Sequence, residues 1–597
     1  MEENITECLV GQPCKAPRVS LDTSGDPEAR QNIDVLPALT QKLGKAHQVV
    51  SILGLLSEHQ RKTNEMRKRT KAGDQMKGTR SVCFLLLFTG VFSFRFQELT
   101  QYVNTHQEDF VQTLKEWIAV ESDSSDVTKR PDLHRMMEMT AEKLKLIGGK
   151  VEMSDIGTQM IANGSSISLP KVVTAQFGED PTKHTVWNLY GRGASDNKAP
   201  VLAWIHAVQV YKELNIELPV NVKLLLEGME ETGSDGLYEF IEKQKDSFLV
   251  DVDYIIISDC VWLSKRPAIT YGTRGNCYFF AEDLHVQMAM KSSVLSPAEL
   301  LTQFHPNSSL TLKLSIPAHK ILGQSSWWIE REVQEVEGPK KDLHSGVYGG
   351  TVIEPMTDLI GILDKLISAE GQILVPGIRE AVEPLSDEEW KRLQEIQFDL
   401  HTYKQEIGVT RLMYSNKARA THVEVLAHRW RYPTVSIHGI EGAFSSSGTK
   451  TVIPAKVIGK FSIRQVPNMD PPTVEKQVSD YLHSVFAKRK SPNKLNVTMV
   501  IGAKPWLADP KHMLYEAGKA AIRKVFGEDP DLIREGGTIP IAQAFQDVTG
   551  KSIIMLPIGG FDDGLHSQNE KISRYNYIEG TKLFITFLNE VSQIKKS

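Results

Sequence analysis

The apolar pattern along the chain becomes regular at Phe96. Phe110, Leu114, Trp117 and Ile118 recur at helical spacing, and Met136 to Leu146 repeats the pattern, so two amphipathic helices are expected there. Val172 to Phe177 reads as a strand. The turn Leu189 to Pro200 follows, in which Gly191 and Gly193 permit tight backbone and Asp196 stands beyond them. Pro200 suits the first turn of the helix that Val201, Trp204, Ile205, Val208 and Tyr211 outline. Next come the strand Val220 to Leu226, the loop Glu227 to Ser234, a helix near Leu237 to Lys243, and the apolar run Tyr254 to Ile257, which ends in Ser258-Asp259. Apolar strands alternating with helices predict an α/β fold whose mainly parallel sheet is covered on both faces. Ligands of such sheets lie beyond the carboxyl ends of the strands, which is where Glu230, Glu231 and Asp259 fall.

Between Gly275 and Ala508 the style changes. Met356 to Leu366 and Val474 to Val485 look helical, Val435 to Ile440 and Val457 to Arg464 look like alternating strands, and together they predict an inserted α+β unit. Residues 509–597 return to the first style, with a helix at Ala517 to Val525, the strand Ile553 to Leu556, and then a loop carrying His566. The expected division is thus one domain made of 94–275 and 509–597, with a second domain, 276–508, between its halves.

The region ahead of this is different. Residues 1–75 lack sustained periodicity and end in a basic run from Arg61 to Lys71, so a disordered, solvated extension is expected. In 76–93, Lys77 and Arg80 precede an apolar run from Val82 to Phe92, the layout of a secretory signal peptide. The run is too short for a spanning helix, which needs ~20 apolar residues. Translation from Met76 is expected to give a secreted product; otherwise a cytoplasmic one is the alternative.

Composition adds exclusions. The 597 residues carry 69 basic and 74 acidic side chains, a net charge of −5, so neither nucleic acid nor a membrane is an expected partner. Of the five cysteines, Cys8, Cys14 and Cys83 precede residue 90, which leaves no disulfide framework and no thiolate zinc site. There is no G-x-S-x-G elbow of a serine hydrolase.

Asp196, Glu230, Glu231, Asp259 and His566 each follow a strand or a turn, in segments that one sheet would gather. An isolated Asp in such a turn usually caps its helix, and a Glu-Glu pair is usually solvated; their joint placement is what points to chemistry. Carboxylate oxygen and imidazole nitrogen suit zinc or manganese, and an Asp can bridge two ions. Such a pair, ~3.5–4 Å apart, polarises a carbonyl and lowers the pKa of bound water towards ~7, the requirements of amide hydrolysis. Neighbouring Glu230 and Glu231 diverge, so one can hold metal while the other moves the proton of the water.

Leu189 to Pro200, Glu227 to Gly233, Ile257 to Asp259, Asp342 to Gly346, Thr451 to Pro454, Phe461 to Arg464, Gly536 to Pro540 and His566 to Glu570 resemble, in the same order, motifs of the carnosine dipeptidase group of dinuclear metallopeptidases, whose wider family includes aminoacylases. The resemblance covers nearly everything from residue 97 onward. It implies a catalytic domain of the phosphorylase/hydrolase-like type with a ferredoxin-like lid that dimerises, two metal ions per subunit, and a dipeptide substrate. By the same resemblance Asp196 bridges the ions, Glu230 is the general base, Glu231 and His566 complete one metal and Asp259 serves the other. His344 and Thr451 match lid residues that reach the active site of the partner subunit. Arg464 matches the residue that pairs with the substrate carboxylate, as a guanidinium fork does well, and Thr538 matches a position near the substrate.

Two departures stand out. The group has a strand ending in His-x-Asp ahead of the anchor turn, whose His binds the second metal; here His184-Thr185-Val186 runs straight into Trp187 to Tyr190, and the expectation is that strand and loop are both missing. His184 precedes the lost strand and is no substitute. Asp283 to Glu335 has no counterpart in the group and interrupts what would read continuously from Glu282 to Val336. These departures, together with residues 1–75, read as the mark of an altered transcript. The leading expectation is a dinuclear metallodipeptidase of the carnosinase type, with at most one tightly bound metal expected here because the His-x-Asp strand is missing; the competing one is a silent relative that binds peptides or dimerises without turning them over.

Overall fold

The computed structural model describes residues 95–161, 164–190, 194–282, 336–337, 339–413, 421–567 and 569–596. The extension 1–75, the signal-like segment 76–93 and the block 283–335 lie outside the described residues. In chain order the strands are β1 (Lys150–Ser154), β2 (Thr158–Met160), β3 (Ser166–Ser168), β4 (Val172–Phe177), β5 (Thr185–Tyr190), β6 (Asn221–Leu226), β7 (Tyr254–Ile257), β8 (Ala268–Thr273) and β9 (Asn276–Glu282). They continue as β10 (Val336–Glu337), β11 (Leu343–His344), β12 (Thr434–Glu441), β13 (Val452–Ile453), β14 (Lys456–Arg464), β15 (Asn496–Ala503), β16 (Trp506–Leu507), β17 (Asp531–Glu535) and β18 (Ser552–Met555).

The first sheet has nine strands in the order β1-β4-β6-β5-β7-β18-β8-β16, with β17 also paired to β8. Its centre, β6-β5-β7-β18, is parallel, whereas β1-β4, β4-β6 and β8-β16 are antiparallel. The sheet is therefore mixed, a correction to the mainly parallel expectation. Parallel neighbours need a crossover, and helices supply it between β5 and β6 (Ala199–Glu213) and between β6 and β7 (Leu237–Gln244). No α-helix separates β1 from β4, which turn back on each other at the edge.

Both faces are covered. Side chains alternate along β7: Ile256 packs under the helices Ala199–Glu213, Met513–Phe526 and Arg574–Val591, while Ile255 and Ile257 pack with Leu237, Ile241 and Phe545 on the other side. Trp204 stacks on Phe584 with ring centroids 4.1 Å apart, and its Nε1 donates to Ser258 Oγ at 3.0 Å. That bond fixes the residue before Asp259. Two residues expected on apolar helix faces, Ile118 and Leu146, are exposed instead, because each ends its helix beyond the buried stripe.

The expected loss of a core strand is not found. Thr185 to Tyr190 pairs in unbroken register with β6 on one side and, through Leu189, with β7 on the other. Trp187 to Tyr190 thus continues the strand begun by Thr185-Val186, and the backbone groups of both neighbours are satisfied.

The second sheet contains β9, β10, β12, β14 and β15, with the helices Pro355–Leu363 and Pro471–Arg489 packed against it. Two bounds differ from the sequence expectation. β16 rejoins the first sheet already at Trp506. The helices Asp387–Glu395 and His422–Trp430 also belong with the first sheet, since Leu393, Val423, Leu426 and Trp430 pack on Ala268 of β8 and Ile533 of β17. Arg431 Nε donates to the buried Glu389 at 3.0 Å beside that cluster.

β9 and β10 lie end to end along β14. Ala281 stands opposite Gly459 and Val336 opposite Val457, so the residue after Glu282 would face the partner that Val336 now faces. The ladder closes as though 283–335 were absent. Deletion of Asp283 to Glu335 is accordingly expected to leave the urea unfolding midpoint unchanged or higher, and a lower midpoint in the deletion would refute the continuity.

Candidate metal centre

The carboxyl ends of β5, β6, β7 and β18, four adjacent strands, deliver the predicted cluster. Asp196 lies between β5 and the helix Ala199–Glu213. Glu230 and Glu231 occupy a short turn, Glu230–Thr232, which closes on Gly233 at φ +101°, a left-handed conformation that suits glycine. Asp259 follows β7, and His566 follows β18 in a loop where its own φ is +55°. His566 Nε2 lies 3.2 Å from Asp196 Oδ2 and 3.1 Å from Glu231 Oε2.

Crowding sets the protonation. The hydrogen bonds to Asp196 and then Glu231 push His566 up to about 10. Burial, followed by the charges of Glu231 and Asp196, holds Glu230 well above the carboxylate range. Asp259 is raised too, by burial first and then by Asp196, with which it shares a hydrogen bond. A positive imidazolium therefore binds two carboxylates where a divalent ion could bind all three groups. One donor atom each from Asp196, Glu231 and His566 lies within 4.8 Å of the others, and carboxylate oxygen and imidazole nitrogen are donors that zinc accepts. These residues fit one metal. Among the described residues that trio is the one group of three such donors so placed; Asp259 hydrogen-bonds Asp196 and also feels the charges of Glu230 and Glu231, and the sequence after β5, Gly191-Arg192-Gly193, carries no carboxylate or imidazole.

His184, dismissed as a ligand from its position, is buried at the other end of β5 and bonds Asp253 and the carbonyl of Ile594. Sequence reasoning passed over Glu227. Its Oε1 accepts from Ser234 Oγ at 2.6 Å, so it braces the loop that carries Glu230 and Glu231. Burial raises Glu227 from 4.5 to about 7. Because the folded-state value is the higher one, the folded chain holds this proton more tightly, and stability falls as pH rises from 4.5 to about 7. The loss amounts to about 3 kcal/mol, and Glu227→Gln is expected to flatten it. Urea unfolding at pH 5 and pH 8 measures the difference, and an undiminished drop in the variant would assign it to other groups.

Arg464, at the end of β14, donates through Nη1 to Thr538 Oγ1 at 2.6 Å, so two of the predicted substrate residues meet across the two sheets. Sequence reasoning gave no role to Arg274. Its Nε donates to the carbonyl of Gly536 at 3.0 Å and its Nη1 to Thr434 Oγ1 at 3.1 Å, and burial with the nearby Arg464 lowers it to about 10. Glu535 accepts from the backbone N–H of Gly536 and Gly537, shaping the turn before Thr538. His344 and Thr451 form a separate pair: β11 and β13 make a two-stranded ribbon, the N–H of Ser345 donates to the Thr451 carbonyl at 3.3 Å, and both side chains face solvent. The structure does not bring them to the acid cluster.

Comparison with known proteins follows this geometry. The model of peptidase family M20/M25/M40 matches residues 172–590. The human Beta-Ala-His dipeptidase is 44% identical over 561 residues, 88% of this chain and 99% of that one. A Cys-Gly metallodipeptidase of Schizosaccharomyces pombe is 37% identical over 527 residues, 83% of this chain and 98% of that one. Among solved structures, human carnosine dipeptidase 1 superposes with a TM-score of 0.70 at 43% identity, covering 84% of this chain and 99% of that one. The Saccharomyces cerevisiae dipeptidase Dug1p gives 0.71 at 33% identity, with the same coverage.

Proposed function

The chain belongs to peptidase family M20/M25/M40, and from that premise we propose that it hydrolyses carnosine-like dipeptides, Xaa-His among them, with a single bound zinc or manganese ion. The observation that carries the reading is the contact of His566 with both Asp196 and Glu231 at the carboxyl edge of the sheet. Asp196, Glu231 and His566 would hold the ion, which when bound lowers the pKa of a water and polarises the scissile carbonyl. Glu230, beside Glu231 and outside the ligand trio, takes the proton of the water and returns it to the leaving amine. Arg464 and Thr538 receive the free carboxylate of the dipeptide and set which bond faces Glu230. His344 and Thr451, exposed on their ribbon, complete the site of a second copy in a homodimer made through the second sheet, which acts as a ferredoxin-like lid.

Purified protein assayed for metal content and for hydrolysis of a β-alanyl-histidine substrate tests this reading. Metal-free protein without turnover after zinc or manganese loading would overturn it. The second reading, a relative that binds dipeptide without cleaving it, is favoured by the missing donors after β5; dipeptide binding with bound metal and no turnover would establish it.

No helix among the described residues is long and apolar enough to cross a membrane. The proposal for localisation rests on the sequence of residues 76–93: expression from Met76 is expected to deliver protein to the medium, trimmed shortly after Ser93. Intact protein retained in the cytosol would reject it.

A further inference from the structure

Asp196 and His566 come from segments far apart in the chain, and two acids on the His566 loop hold the Asp196 turn. Glu570 Oε1 accepts the backbone N–H of Ser195 at 2.8 Å and of Asp196 at 3.0 Å. Ser195 Oγ donates to Asp563 Oδ2 at 2.7 Å, and the same oxygen accepts the N–H of Gly560 at 2.7 Å. Asp563 is buried. The fit leaves no slack, since a Cβ on Gly559 would lie 2.5 Å from Ser195 Oγ. The loop is also closed at its base, where the N–H of Lys571 donates to the Asp563 carbonyl at 2.9 Å. His566, four residues before Glu570, has a side chain that is 66% exposed, so little packing holds it in place.

We propose that Glu570 is a positioning residue that sets the distance between Asp196 and His566, and so the metal affinity, before any ion arrives. Asp563 supports it by holding Ser195. The proposal rests on the reading that Asp196 and His566 are metal ligands. Two backbone donors converge on one oxygen, so the function requires an acceptor at full side-chain length and not a negative charge. Gln keeps that carbonyl oxygen at the same reach. Asp keeps the charge and falls one methylene short.

The test is zinc affinity, measured by competition with a chromophoric chelator on metal-free protein whose fold is verified by circular dichroism and gel filtration. Glu570→Gln is expected to bind zinc like the unchanged chain, whereas Glu570→Asp and Glu570→Ala lose about 10–100-fold, the usual effect of removing a group that orients a ligand. If Ala does not fold, the Gln and Asp pair decides alone. Equal affinity in both, weakness in both, or Asp retaining affinity while Gln loses it would each overturn the proposal. Asp196→Asn separates the two levels: normal zinc binding by that variant would defeat the metal reading itself, while its loss beside an unaffected Glu570→Asp would defeat only the role of Glu570.

Discussion

Replacing Glu230 by Gln is expected to lower dipeptide hydrolysis about 10²–10⁴-fold, the contribution of a positioned general base, while the metal content stays the same. Glu230 and Glu231 share one short turn, and their side chains diverge. Glu231 places Oε2 3.1 Å from His566 and belongs with the ligands. Glu230 is absent from the trio whose donor atoms converge, yet it is buried against the same carboxylates and its proton affinity is raised by them. The amide of Gln fills the same space and cannot accept a proton from water. Glu231→Gln is the necessary contrast, because it should release the ion and abolish activity for that reason. Assay of both variants together with metal analysis decides the roles: an active Glu230→Gln, or one that loses metal as Glu231→Gln does, would reverse or cancel the assignment.

What could be read from the sequence was what a local pattern encodes. The helix that begins at Ala199 is announced by Pro200 and by five apolar residues at helical spacing, all of them buried in the structure. The acids could be placed because each follows an apolar strand. Glu570 and Asp563 could not, since their importance lies in donors on Ser195 and Asp196, backbone N–H for Glu570 and the Ser195 hydroxyl for Asp563, more than 360 residues away, and no local pattern records a partner at that distance. The segments Asp387–Glu395 and His422–Trp430 were assigned to the inserted domain by position alone, because local sequence does not record which sheet a helix packs on. Arg274 was visible as a residue and not as a site, because its role follows from meeting Gly536 and Thr434 in three dimensions. The error over β5 is the most instructive. A strand was judged lost because its ligand motif was lost, yet strand pairing depends on backbone groups and apolar sequence. Trp187 to Tyr190 supply the backbone pairing without the His-x-Asp chemistry.

A gain in activity is therefore expected from restoring the ligands and not from restoring the sheet. As it stands the chain should bind one zinc or manganese ion per molecule. Asp196, Glu231 and His566 converge, whereas Asp259 lies outside that trio and shares a hydrogen bond with Asp196. One ion can activate the water or polarise the carbonyl, and it cannot clamp both developing charges as a pair does. Inserting between Val186 and Leu189 a strand that ends in His-x-Asp, with its return loop, would let the new strand take the slot between β6 and β7 and release Trp187 to Tyr190 into the loop ahead of Asp196. The expected outcome is a second ion per chain and turnover at least about 10–100-fold higher, since the insertion supplies a ligand and not merely a group that orients one. Asp259→Asn separates the states further. It should leave the single ion of the present chain bound, because Asp259 lies outside the converging trio, and should prevent uptake of the second ion in the restored chain. Two ions and full activity in the chain as it stands would refute the one-metal reading, and a restored chain that still takes up a single ion would show that more than the His-x-Asp donors is lacking.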